Sequence, residues 1–196
     1  MNKPATQLTL TCQAECLRDR VRLSYAVTSR RPEEVYILDL LPAALLGDVK
    51  TRALVPDFSR AELRPAGPAA AHLLFGIPPL PKDRLVNVRL FPLATKLEPG
   101  KTLERVVEFS RPLREYSPYD AGNGTHRFET VWIKSLQVTV HVLSSAAEGI
   151  EVEPAAAWPG FVAVRAPRIL QQIEELHCQV EVPSVEFLRR KDMASQ

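Results

Sequence analysis

The sequence predicts an all-β chain folded as an antiparallel β-sandwich of immunoglobulin-like character, and three observations carry that expectation. Apolar and polar residues alternate with a period of two in several stretches, the mark of strands with one face buried. Seventeen prolines are spread along 196 residues. A residue that lacks a backbone donor and fixes φ belongs in loops and at strand edges, not in long helices. No helical repeat separates the alternating stretches, and the single ambiguous segment, near the C-terminus, predicts at most a short helix. The pattern is expected to make one domain over residues 1–183, followed by a charged tail at 184–196.

The elements follow in order. Leu8, Leu10, Cys12, Ala14 and Cys16 alternate with Thr9, Thr11, Gln13 and Glu15. After Arg18-Asp19, Val21, Leu23, Tyr25 and Val27 alternate with Arg20, Arg22, Ser24 and Ala26. Two such runs across a short polar turn predict a hairpin. Val35–Leu40 is apolar almost throughout, as a strand covered on both faces is. From Pro42 to Pro68 the pattern weakens: Leu54-Val55 and Ala61–Leu63 are short strand candidates, interrupted by Pro56, Pro65 and Pro68. Ala70–Phe75 reads as a strand, Pro78-Pro79-Leu80-Pro81 as a stiff connector, and Val86, Val88 and Leu90 alternate again. The Pro99-Gly100 turn leads to a strand with Leu103, Val107 and Phe109 on one face. The longest alternation, Val131–Leu143, places Trp132, Leu136, Val138, Val140 and Val142 on one face and Gln137, Thr139 and His141 on the other. Gly160–Val164 is a short strand. Between Arg168 and Pro183 helical spacing (Ile169, Ile173, Leu176) gives way to strand spacing (Leu176, Cys178, Val180, Val182), which predicts a short helix or turn handing over to a final strand. Seven or more strands joined by turns make a sandwich, with a closed barrel as the alternative.

Composition narrows the function classes. The net charge is +2, without the one-sided basic excess of a nucleic-acid-binding domain, so no nucleic-acid partner is expected. No apolar run approaches the length of a membrane span and no secretory leader opens the chain, so no membrane association is expected. Three cysteines, an odd number without an export signal, suit a reducing compartment, and a cytoplasmic location is expected.

Chemistry-bearing motifs are few. The sequence has no Gly-x-Ser-x-Gly elbow, no phosphate-binding loop, no His-Glu-x-x-His and no calcium loop. Gly122-Asn123-Gly124 lacks the third glycine and the βαβ frame of a dinucleotide site and reads as a turn. Cys12 and Cys16, four residues apart on a strand, have Cα atoms ~13 Å from each other, beyond the ~7 Å of a bridge. They read as buried core thiols, and neither a metal nor a cofactor is expected. His177 and Cys178 point to opposite faces as strand neighbours. His141 is expected to face solvent, and His72 and His126 have no carboxylate or thiol partner nearby in the sequence. Arg20 and Arg22 make a basic stripe on the outer face of the first hairpin, with no aromatic platform beside it.

The most unusual segment is Arg111–Phe128, long for a loop and rich in tyrosine and arginine, the residue types enriched at interaction hot spots. Arg111, Arg114, Tyr116, Tyr119 and Arg127 are therefore the candidate binding residues. The sequence leads to a non-catalytic interaction or accessory module that engages a protein partner through loops or an edge strand. The alternative is an enzyme or small-molecule-binding protein with a pocket at the loop end of the sandwich. A pocket that gathers two or more histidines with carboxylates favours the second.

Overall fold

The computed structural model describes residues 7–41, 57–81, 85–86, 89–120 and 127–191. Leu54-Val55, Val88, His126 and the turn at 122–124 lie outside these residues. The first half carries β1 (Leu8–Cys16), β2 (Arg20–Ser29), β3 (Val35–Leu40), β4 (Glu62–Pro65), β5 (Ala70–Phe75) and β6 (Leu93–Leu97). The second half carries β7 (Thr102–Ser110), β8 (Leu113–Arg114), β9 (Phe128–Ser144), β10 (Glu151–Pro154) and β11 (Val162–Arg165). A four-residue helix, α1 (Ile169–Gln172), then hands over to β12 (Glu174–Arg190). With 59% strand against 4% helix, the chain is all-β.

The strands form two sheets. One has three strands in the order β1-β2-β7; the other has nine, running β10-β11-β6-β3-β9-β12-β8, with β5 on β9 and β4 on β5. The larger sheet curls into a half-barrel and is mixed. Here the expectation of a purely antiparallel fold is corrected, because β5 pairs parallel with β9 and β8 pairs parallel with β12. The physical reason is strand length. β9 and β12 have 17 residues each, longer than the other strands they pair with, so their edges accept partners in either direction.

The expected hairpin forms in full register, with Leu8 opposite Ser29 and Cys16 opposite Val21. Val21, Leu23, Tyr25 and Val27 on β2 face Phe75, Leu136, Val138, Val140 and Val142 across one core, where the Tyr25 and Phe75 rings lie 4.8 Å apart. β3 is buried on both faces, as its apolar run predicts. Val35 and Ile37 join this core, whereas Tyr36 and Leu38 join a second cluster with Ile77, Ala94, Leu143, Val164 and Ile169 on the far side of the larger sheet. Asp39, alone in charge on β3, is buried against Arg105 Nε at 3.0 Å and Thr95 Oγ1 at 3.0 Å. Burial pushes its carboxyl upward, against the pull of the guanidinium. The pair fastens β3 to β6 and β7.

Several elements depart from the sequence reading. The described residues of the Val86–Leu90 stretch form no strand, and the sheet strand is β6 instead. β10, all of whose residues are exposed, carries no alternation a reader can detect. Trp132, expected inward, is 55% exposed, while Ile133 is buried. The alternation changes phase between Ile133 and Leu136, beside a register break in β12 between Glu181 and Val185. Pro183 sits inside that break, where its missing N–H interrupts no ladder bond. Beyond it, where a tail is expected from residue 184, β12 continues to Arg190 because Val185 and Phe187 resume the inward alternation and are fully buried. Cys12 and Cys16 are free and half-buried at the core margin, not fully buried. Both thiols are pushed up chiefly by burial, Cys12 also by its hydrogen bond with Cys178 on β12.

Candidate functional site

The residues of the expected binding segment do not converge on one surface. The Arg111 guanidinium donates through Nη1 to the Leu17 carbonyl at 2.7 Å, fastening the segment to the β1–β2 turn. Arg114 lies over the Phe128 ring, its Cζ 4.3 Å from the centroid. Tyr116 makes a two-way backbone bridge with Leu63, both bonds 2.9 Å, and Tyr119 accepts at its hydroxyl from the Leu90 amide at 3.1 Å. Arg127 is exposed, and its carbonyl accepts from the Lys191 amide at 3.0 Å. Of the five, Arg114 and Tyr116 share a cleft of about 300 Å³ with Ser59, Leu63 and Phe109. The arginines of the first hairpin are also engaged: Arg20 and Arg22 converge on Glu108 at 2.8 and 2.9 Å, with Asp19 and Glu15 beside them.

A different constellation arises from strand register on the outer face of the larger sheet. The antiparallel pairing of β9 and β12 sets Gln137 opposite Gln179, Thr139 opposite His177 and His141 opposite Glu175. Parallel pairing of β5 brings His72 beside Gln137. Alternate residues on paired strands share a face, so three histidines, a carboxylate, a hydroxyl and two carboxamides stand together. His72, Gln137, Thr139, Glu175, His177 and Gln179 line a cleft of about 510 Å³, walled by Pro65 and Ala66. The cleft lies on the face of the sheet, not at the loop end where a pocket is expected.

The contacts inside it form a chain. His72 Nε2 is 2.8 Å from Thr139 Oγ1, and the same hydroxyl is 3.1 Å from His177 Nδ1. His177 Nε2 faces Glu175 Oε2 at 3.6 Å, and His141 Nε2 faces Glu175 Oε1 at 3.5 Å. His141, expected to face solvent, is only 5% exposed, because the chain leaving β5 crosses over its ring. The Ile77 amide donates to His141 Nδ1 at 3.1 Å. A Cβ on Gly76 would stand 2.4 Å from His141 Cγ, so only glycine permits the crossing.

Two anchors assign the protons. An N–H donor at His141 Nδ1 requires a lone pair there, which places the hydrogen on Nε2, toward Glu175. The carboxylate likewise favours a hydrogen on His177 Nε2, leaving Nδ1 to accept from the Thr139 hydroxyl. Thr139 Oγ1 then accepts from His72 Nε2–H. The bonds at His141 Nδ1 and at Thr139 Oγ1 are satisfied in this arrangement, and the 3.5 and 3.6 Å approaches to Glu175 are electrostatic contacts. Burial holds His72 and His141 below the ordinary histidine range, and the neighbouring His177 adds to the effect at His72.

This depression has a measurable consequence. Above about pH 6.5 both states carry neutral rings. As the pH falls through that value the unfolded chain takes up protons that the folded chain refuses, so stability is lost on acidification. Asp39 and Glu62, whose carboxyls burial pushes up, act in the opposite sense. The contribution of His141 is therefore isolated by comparing the protein with His141→Asn, whose carbonyl can still accept from Ile77. The variant is expected to lose less Tm between pH 7.5 and 5.5 than the parent, as read by thermal melts in both buffers.

Both sides of the site are visible in the sequence as polar alternations, Gln137-Thr139-His141 and Glu175-His177-Gln179. What local spacing lacks is the pairing of β9 with β12, and His72 lies 67 positions from its hydroxyl partner. Among the described residues no group of three or more histidine, cysteine, aspartate or glutamate side chains is placed to hold a metal ion. No helix among them is long and apolar enough to cross a membrane. No protein-family model, curated protein or solved structure gives a significant match to the chain.

Proposed function

We propose that the chain is a small-molecule-binding protein, built on an immunoglobulin-like sandwich, whose ligand occupies the cleft over His72, Thr139, His177 and Glu175. The observation that carries this reading is the single Thr139 hydroxyl shared by two imidazoles at 2.8 and 3.1 Å on the floor of an open cleft. Polar groups held in fixed orientations by a rigid sheet, beside open space, are what a ligand site requires. The sandwich reading rests on the shared core between the three-stranded sheet and the curled larger one. A fragment library screened by ligand-observed NMR, with hits mapped on the amide and imidazole signals, tests it. Hits are expected to shift His72, His177 and Glu175 together. Hits that map only elsewhere contradict it.

A second reading, an interaction module that meets a protein partner through Arg111, Arg114, Tyr116, Tyr119 and Arg127, draws on the cleft shared by Arg114 and Tyr116. On that reading, replacing Tyr116 and Tyr119 together by alanine leaves Tm nearly unchanged. If the tyrosines instead close the end of the sandwich, the same double variant loses several kcal/mol, ~3 or more for each ring that is fully packed. The half-buried rings and the bond from the Leu90 amide to the Tyr119 hydroxyl favour the loss, and a differential scanning measurement of the double variant reads it directly.

A further inference from the structure

We infer that the cleft over β5, β9 and β12 is selective for an organic ammonium group, a protonated primary amine whose N–H donors meet the Glu175 carboxylate and the acceptor atoms beside it. The inference rests on the ligand-site reading above and names the chemistry of its occupant.

Charge is the first ground. Of the residues lining the cleft, Glu175 alone carries a formal charge at neutral pH, and none is a lysine or arginine. The Glu175 side chain is 52% exposed, so its remaining lone pairs are open to a ligand. An anion placed there meets a carboxylate with no cation lining the cleft to offset it, whereas a cation is complemented.

Hydrogen-bonding valence is the second ground. In the proton arrangement fixed by Ile77 and Glu175, the N–H of His72 is spent on Thr139, that of His177 points at Glu175, and the Thr139 hydrogen is spent on His177. The amide nitrogen of Gln179 gives one of its two hydrogens to Glu181 Oε1 at 3.1 Å. His72, Thr139 and Glu175 leave over acceptors, the second ring nitrogen of His72 and the carboxylate lone pairs, and the Gln179 carbonyl adds another. A tetrahedral ammonium, with three donors and one charge, matches that inventory. A metal ion does not, because His141 carries its hydrogen on the nitrogen that faces Glu175, and His177 Nδ1 and His72 Nε2 are both turned to the Thr139 hydroxyl. The cleft, about 510 Å³, has room for the alkyl part of the amine.

Three probes with one alkyl chain separate the possibilities: n-butylammonium, n-butanol and n-butyrate, each titrated at pH 7.5 into the whole chain while the His72, His177 and Glu175 signals are followed by NMR. Butylammonium is expected to saturate these shifts, butyrate to leave them unmoved, and butanol to bind at least tenfold more weakly than the amine. Glu175→Gln is nearly isosteric on an exposed side chain, and it is expected to weaken butylammonium about tenfold without changing Tm. If butanol or butyrate binds the same residues as well as the amine, the ammonium assignment is overturned while the ligand site stands. Should no probe move the cleft signals and the fragment screen also leave them still, the site reading fails and the inference with it. Stoichiometric Zn²⁺ uptake that His177→Gln abolishes overturns the assignment in favour of a metal.

Discussion

A chain ending at Pro183 is expected not to fold. The removed residues include Val185 and Phe187, both fully buried in the main core, and the part of β12 that pairs with β8 and with residues 128–133 of β9. Losing a buried phenylalanine alone costs ~3–5 kcal/mol, and a domain of this kind is stable by only ~5–15 kcal/mol. Truncation adds the buried valine and an unpaired edge on the longest strands of the sheet. The expected result is a circular dichroism melt without a cooperative transition. The point variant Phe187→Ala, which keeps the backbone, is expected to remain folded with a Tm lowered by many degrees. A truncated chain that melts within about 5 °C of the parent, on the usual scaling of Tm with stability, would return these residues to the role of a tail.

Gly76→Ala is expected to be the most damaging conservative substitution beside the cleft. The added methyl meets Cγ, Nδ1 and Cβ of His141 at 2.4, 2.5 and 2.9 Å. Those atoms sit at the root of a buried side chain, so the ring cannot swing aside as a flexible tip does. Overpacking of this kind costs ~1–3 kcal/mol, and displacement of the ring from the Ile77 amide leaves a buried donor unmade at ~1–3 kcal/mol more. Denaturant unfolding should show the sum. A double-mutant cycle identifies the cause: in a His141→Ala background, Gly76→Ala should cost far less, because the colliding atoms beyond Cβ are gone. Equal costs in the two backgrounds would place the strain elsewhere.

The fold was legible where local pattern decides it. The β1–β2 hairpin, the doubly covered β3, the inward face of β9 from Leu136 onward and the short helix before β12 all follow from alternation, turn residues and burial. Legibility failed where tertiary pairing overrides the local period. The phase change that turns Trp132 outward depends on a register break in its partner strand, and β6 and β10 are too short to show a period. The site failed for the same reason. His72, Thr139 and His177 are unremarkable residues on three separate strands, and a parallel pairing plus an antiparallel one make them neighbours. The strand period puts His141 on the outward face. A glycine on the crossing chain, far away in sequence, covers it.

The proton arrangement across His141, Glu175, His177, Thr139 and His72 underlies the ligand site and the ammonium preference alike, and it is directly observable. Long-range ¹H–¹⁵N correlation spectra of the imidazoles at pH 7.5 report which ring nitrogen carries each hydrogen. All three rings are expected as the Nε2–H tautomer, with His72 and His141 titrating below 6.5, the usual value for the side chain. A hydrogen on Nδ1 of His141, or rings of His72 and His177 that exchange between tautomers, would contradict the network and the site built on it.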